Sequence, residues 1–156
     1  MSETPPRRLL ADGMLGRLAR WLRMLGYDTA YDNQADDHEL AHRSRLESRT
    51  LLTRDHELAG RRGLDCVFIE SEVLKEQVHQ VVEQVGAPPE PPLHRCSVCN
   101  TPLEAATAAR VRDCVPTYVL QTQDTFRLCP GCGRVYWAGT HRDGIMEQLE
   151  SLRGQG

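Results

Sequence analysis

From residue 7 to about residue 86 the hydrophobic positions alternate between two periodicities. Short unbroken apolar runs give way to segments in which apolar residues recur every three or four positions, the spacing of one helix face. The run Arg7-Arg8-Leu9-Leu10-Ala11-Asp12 reads as a strand that ends on an acid. In the segment GMLGRLARWLRMLG that follows, Leu15, Leu18, Leu22 and Leu25 mark a buried helical face, and Arg17, Arg20 and Arg23 fall on the opposite, solvent-facing arc. Gly26 suits the stop of that helix. YDTAYD is a second, weaker strand. ADDHELAHRSRLES reads as a helix with Asp36 or Asp37 as N-cap and Glu39 in the first turn, where a carboxylate suits the helix dipole. RTLLTRD is a third strand that closes on Asp55, and HELAGRRG adds a turn or two of helix stopped by Gly63. LDCVFIE is a fourth strand with Cys66 buried in it, and Ser71 then caps a longer helix with Leu74, Val78, Val81 and Val85 on one face.

Four alternations of strand and helix predict an α/β fold with a parallel sheet covered by helices. Ligand sites in such sheets lie at the carboxyl ends of the strands, where Asp12 and Asp55 both stand. Residues 87–93, APPEPPL, form a stiff linker that divides residues 1–86 from residues 94–156. Beyond it the texture changes. Cysteines come in pairs, short strand-like runs such as PTYVLQ replace the helical pattern, and no internal repeat is visible.

The pairs are Cys96-Ser-Val-Cys99 and Cys129-Pro-Gly-Cys132. Zinc takes four thiolates in a tetrahedron, and each C-x-x-C supplies two from one tight turn. The 29 residues between the pairs exceed the usual zinc spacing but have room for a hairpin. Redox dithiols are the competing use of such pairs. Cys114 has no partner and reads as a plain thiol; His94 and His141 are spare ligands that a complete four-cysteine set does not need.

Composition narrows the picture. A length of 156 residues, 40% of them hydrophobic, suits one domain, or one domain with a small appendage and a modest core. A net charge of −3 excludes a strongly basic nucleic-acid binder by bulk charge but leaves room for a local basic face. Lys75 is the single lysine among 19 basic residues. That preference fits phosphate recognition by the guanidinium fork, but the abundance of Ala, Gly and Pro favours the codon usage of a GC-rich genome as its source. No apolar run approaches the ~20 residues of a membrane helix. The first residues also lack the apolar core of a secretory signal, so a cytoplasmic protein with reduced cysteines is expected.

Asp12, the Asp36/Asp37 pair with Glu39, and Asp55 are distant in sequence but converge at one sheet edge if the strands are parallel. Carboxylates gathered in one pocket repel unless a cation neutralises them, and hard oxygen ligands select Mg²⁺ or Mn²⁺. Such a cation supports phosphodiester hydrolysis. The plainer alternatives are structural: Asp36 or Asp37 as an N-cap, and Asp55 as the cap of the helix after it. Asp12-Gly13-Met14 lacks the second aspartate of a haloacid-dehalogenase-type phosphatase, and the chain has no nucleotide P-loop.

The segments LLADGMLGRLARWLRMLGYDT, DDHELA, LLTRD, CSVCN and CPGCGRVYWAGTH together resemble the PIN-like ribonuclease family named after the C-terminal domain of the Mut-seven exonuclease, from about Leu9 to His141. The resemblance implies a PIN-like three-layer α/β/α sandwich followed by a four-cysteine zinc ribbon, with divalent-metal ribonuclease activity. It makes Asp12 the acid ending the first strand and Asp55 the acid of LLTRD. The helix-start acid falls in DDHEL, with Asp37 ahead of Asp36 and Glu39 beside them. PIN nucleases often use a fourth acid, which the sequence does not place. RNA is the implied partner, with the ribbon as a support for substrate, protein or ribosome docking. By position beside Asp12, Arg17 and Arg20 on the exposed arc of the first helix are candidate phosphate contacts, with an ordinary solvated helix face as the alternative, and Arg54 next to Asp55 is a further candidate. A second reading keeps the binding and drops the chemistry: an RNA- or ribosome-associated module with a degraded acidic site.

Overall fold

The computed structural model describes residues 7–137; His141 lies outside the described residues. Four strands, β1 (Arg8–Ala11), β2 (Thr29–Tyr31), β3 (Arg49–Thr53) and β4 (Cys66–Phe68), pair in parallel in the order β2-β1-β3-β4. Their alternate side chains enter two separate cores. Leu9, Ala11 and Leu52 face α1 (Gly16–Leu25) and α4 (Leu74–Val85), meeting Leu18, Leu22, Leu25, Val78 and Val81. Leu10 and Leu51 face the other way, against Leu40 and Ala41 of α2 (Asp37–Glu47) and Leu58 of α3 (His56–Ala59). The result is a three-layer α/β/α arrangement. Because both faces of each strand are covered, the strands read as continuous apolar runs.

Several helix boundaries differ from the sequence expectation. A single 3₁₀ turn (Gly13–Leu15) precedes α1. The helix α3 is one turn long and stops at Gly60, three residues short of Gly63. Ser71 does not cap α4 directly: Val73 holds the N-cap position, while the Ser71 hydroxyl accepts from the Val73 N–H (2.9 Å) and donates to Glu76. Cys66 is half-buried rather than buried. Arg23 departs most. Expected in solvent beside Arg17 and Arg20, it is 7% exposed, because residues 97–98 cover its flank of α1 next to the buried Ala19.

The Pro-rich segment 87–93 lies against the end of α1, where the Leu93 N–H donates to the Met24 carbonyl (2.8 Å). Beyond it β5 (Glu104–Ala106), β6 (Phe126–Leu128) and β7 (Val135–Trp137) form an antiparallel sheet in that order. The run PTYVLQ, expected as a strand, is helical. Pro116 is the N-cap of α6 (Thr117–Thr122), and α5 (Ala108–Val111) precedes it. Val111, Val115 and Val119 recur every four residues and pack with Phe126, so the helical period prevails over the β-propensity of Tyr118 and Val119. No helix among the described residues is long and apolar enough to cross a membrane.

Candidate functional site

Strand order reverses between β1 and β3, since the chain passes from β1 to β2 on one side and returns to β3 on the other. Crevices form at the carboxyl ends of strands at such a switch point. Asp12 leaves β1 there, buried at 5% exposure, and its backbone N–H donates to the Leu52 carbonyl of β3 (3.1 Å). One Asp12 oxygen accepts from the Met14 N–H (3.0 Å) and caps the 3₁₀ turn; the other accepts from the Thr53 hydroxyl. Asp55 caps α3, accepting from the Glu57 N–H (2.9 Å) and the Leu58 N–H (3.3 Å). Its own N–H donates to Thr53 Oγ1 (3.0 Å), so one threonine hydroxyl ties the two acids together.

The two acids of DDHEL separate in role. Asp36 is the N-cap of α2, accepting from the Glu39 N–H (2.8 Å), and the Glu39 side chain is exposed. Asp37 instead faces the other two acids. Burial pushes its carboxyl above the ordinary range, the Asp55 and Asp12 charges push it the same way, and Arg61 opposes them. Asp12, Asp37 and Asp55 are therefore brought to one edge. They remain a looser set than the cysteines, whose four sulfurs all lie within 4.8 Å of one another.

Around this edge, Arg17 and Arg20 are exposed and form no ion pair among the described residues. Arg54 turns towards Glu72 (3.9 Å), and its Nε is buried without a hydrogen-bond partner. His56 stacks on Phe68 with ring centroids 4.1 Å apart. Sequence reasoning missed Thr53, Arg61 and Asp32. Asp32 follows β2 at the same edge, with its carboxylate accepting the Gln34 N–H (2.8 Å) and Ala35 N–H (3.2 Å). The available signal was position: Thr53 stands two residues before Asp55 at the end of the third strand, and Asp32 ends YDTAYD as Asp12 ends the first strand, while Arg61 carried no signal.

The four cysteines could hold a zinc ion. Cys96 and Cys132 sulfurs are 3.7 Å apart and those of Cys99 and Cys129 are 3.3 Å apart. A tetrahedron with Zn–S bonds of ~2.3 Å has edges of ~3.8 Å, so the donor set fits. The two loops fold alike: the Asn100 N–H donates to the Cys96 carbonyl and the Gly133 N–H to the Cys129 carbonyl, each at 2.9 Å. Asn100 (φ 69°) and Gly133 (φ 80°) take the same left-handed backbone. Burial pushes the Cys96 thiol up, but hydrogen bonds from the Tyr136 hydroxyl and the Cys99 and Val98 N–H groups outweigh it and hold the thiol below its ordinary range. Burial likewise opposes ionisation of Cys99, yet its bonds to Thr101 bring it down to about 6. Burial raises Cys129 to about 11. Cys114 is exposed and stands apart from the set.

No curated protein and no solved structure matches the chain. The profile of the Mut7-C RNAse domain matches residues 7–149, which takes in the acidic edge and all four paired cysteines. An acid-lined switch point on a parallel sheet, followed by a four-cysteine cluster, thus sits inside one continuous match, and the chain belongs to the Mut7-C RNAse domain family.

Proposed function

We propose that this ribonuclease-family chain hydrolyses RNA phosphodiester bonds with Mg²⁺ or Mn²⁺ held by Asp12, Asp37 and Asp55. The observation that carries the reading is the raised Asp37 carboxyl, opposed to its own ionisation by burial and by Asp55 and Asp12. Burial together with like charge from two neighbouring acids at a switch point disfavours the bare carboxylate, and a bound cation would relieve it. The donor set is all hard oxygen, which fits Mg²⁺ or Mn²⁺. Such a cation supplies an activated water and charge neutralisation at the scissile phosphate. The chain's own part is orientation. Met14 N–H and Thr53 fix the Asp12 carboxylate, and the start of α3 fixes that of Asp55. Arg17, Arg20 and Arg54 supply cations for the RNA backbone. Zinc on Cys96, Cys99, Cys129 and Cys132 is structural in this reading, and the cytoplasm is the reducing setting that keeps those thiols free.

The second reading, a non-catalytic RNA- or ribosome-associated module, draws on one observation. Asp12 and Asp55 both cap helical turns and have a structural use without any metal. Cleavage of single-stranded RNA by the purified protein separates the two. Wild-type protein should cut in Mg²⁺ or Mn²⁺ and stop in EDTA. Asp12→Asn and Asp55→Asn, which keep shape and remove charge, should lose at least about 100-fold in rate while still binding RNA. Binding without metal-dependent cleavage by the wild type would give the second reading the field.

A further inference from the structure

Helix α1 sends one arginine into the first cysteine loop. Arg23 Nε donates to the Thr29 carbonyl (2.8 Å), and Nη1 donates to the carbonyls of both Ser97 and Val98 (3.0 Å each). Ser97 and Val98 are the two residues between Cys96 and Cys99. In a trans peptide the carbonyl and the following N–H point opposite ways. By holding those two carbonyls, Arg23 aims the N–H groups of Val98 and Cys99 away from itself and fixes the turn that joins Cys96 to Cys99. The guanidinium thus fixes both peptide planes between two of the ligands. It also places a positive charge beside a set that is doubly negative once four thiolates surround a dication.

The next residue ties the same loop to the sheet. Asn100 Oδ1 accepts the Thr29 N–H (3.0 Å), and its Nδ2 donates to Asp28 Oδ1 (2.7 Å). Asp28 in turn takes Arg49 Nη1 (2.9 Å), which also donates to the Leu9 carbonyl of β1 (2.9 Å). Hydrogen bonds therefore run unbroken from the cysteine loop to the strand that ends at Asp12.

We propose that Arg23, a residue of the α/β layer, is a working part of the metal centre: it sets the affinity of the four cysteines for zinc, so that zinc occupancy and docking of the cysteine loop on α1 and β2 are one equilibrium. Linkage makes the effect reciprocal. Whatever Arg23 adds to zinc affinity, zinc adds to the docking of the loop.

The test is competition for zinc between the full-length protein and a colorimetric chelator, with hydrogen exchange of the zinc-loaded and zinc-stripped protein as a second readout. Arg23→Gln removes the charge and the fork. Arg23→Lys keeps the charge but cannot span Thr29, Ser97 and Val98. Both should bind zinc about 10- to 100-fold more weakly than wild type, as loss of a group that orients a ligand does. Asn100→Gly keeps the left-handed backbone and removes only the docking bonds, and should weaken zinc several-fold; it decides the question if the Arg23 variants do not fold. In the wild type, stripping zinc should speed exchange of the Thr29 amide. An arginine that only buttresses the fold would lower thermal stability equally with and without zinc and leave the affinity alone. Zinc affinity within about twofold of wild type in the folded variants, with Thr29 exchange indifferent to zinc, would overturn the proposal.

Discussion

Thr53 uses one hydroxyl twice, accepting from the Asp55 N–H and donating to Asp12. That leaves Asp37 as the acid of the edge whose charge is least compensated. Its carboxyl sits above the ordinary 3.8, first through burial and then through Asp55, with Arg61 opposing. Between about 3.8 and that raised value the folded protein therefore holds a proton that the unfolded chain has released. The stability this group contributes is present at low pH and is lost as pH rises from about 3.8 through the raised folded value. Asp37→Asn does not ionise, so it should melt on the order of 1–2 °C above wild type at pH 7, with the gap closing towards pH 3. Millimolar Mg²⁺ should lift the wild type more than the variant if the proposed cation site is real. Thermal melts across pH with and without Mg²⁺ measure both effects, and a variant less stable than wild type at pH 7 would contradict the repulsion. Asp12 and Asp55 were legible in the sequence because a charge at the end of a buried strand must be held by something. Thr53 was not, since within RTLLT it reads as an ordinary strand filler, and its role appears only when β1 lies beside β3.

At the scale of elements, α1 carries information at both ends. It begins beside Asp12 and ends at Gly26, whose backbone is left-handed (φ 115°) and whose N–H donates to the Leu22 and Arg23 carbonyls (3.2 Å each). A Cβ on Gly26 would drive into the backbone carbonyl of Glu90. Gly26→Ala should therefore cost more than the ~1 kcal/mol of an unfavourable φ alone, because the Pro-rich segment must also move off the helix. Urea denaturation of the zinc-loaded variant checks this, and a loss under about 0.5 kcal/mol would mean that the segment yields freely. The glycine stop was readable in the sequence. The close approach of the segment was not, since a proline-rich stretch carries no sign of what it lies against. The same gap explains Arg23, which a helical wheel assigns to solvent until the cysteine loop covers it. For α6 the competition is local: Tyr118 and Val119 favour a strand, while the four-residue spacing from Val111 through Val115 to Val119 favours the helix that forms.

Across the whole molecule, α1 joins two centres. Its 10 residues span about 15 Å, from the acidic edge at one end to the cysteine loop at the other. Three arginines on one helix thus have two fates: Arg23 is held by Thr29, Ser97 and Val98, while Arg17 and Arg20 are exposed and without an ion pair among the described residues. A chain with net charge −3 and three acids at its proposed site repels an RNA backbone over most of its surface. Local cations near the site must offset this if RNA is the substrate, and Arg17, in the first turn of α1, follows Asp12 most closely. Arg17→Ala should therefore weaken RNA binding and reduce the slope of log affinity against log salt by about one phosphate contact, with little change in sequence preference. Arg20→Ala, one turn further from the acids, should do the same less strongly. Arg23→Gln should leave the salt slope of the zinc-loaded protein unchanged, because its guanidinium bonds backbone carbonyls rather than facing solvent. Fluorescence anisotropy of labelled single-stranded RNA over a salt series, in Ca²⁺ or EDTA to prevent cutting, measures all three. A slope that Arg17→Ala leaves untouched would make the exposed arc of α1 an ordinary solvated surface and move the search for the phosphate contacts to Arg54 and Arg61 beside α3.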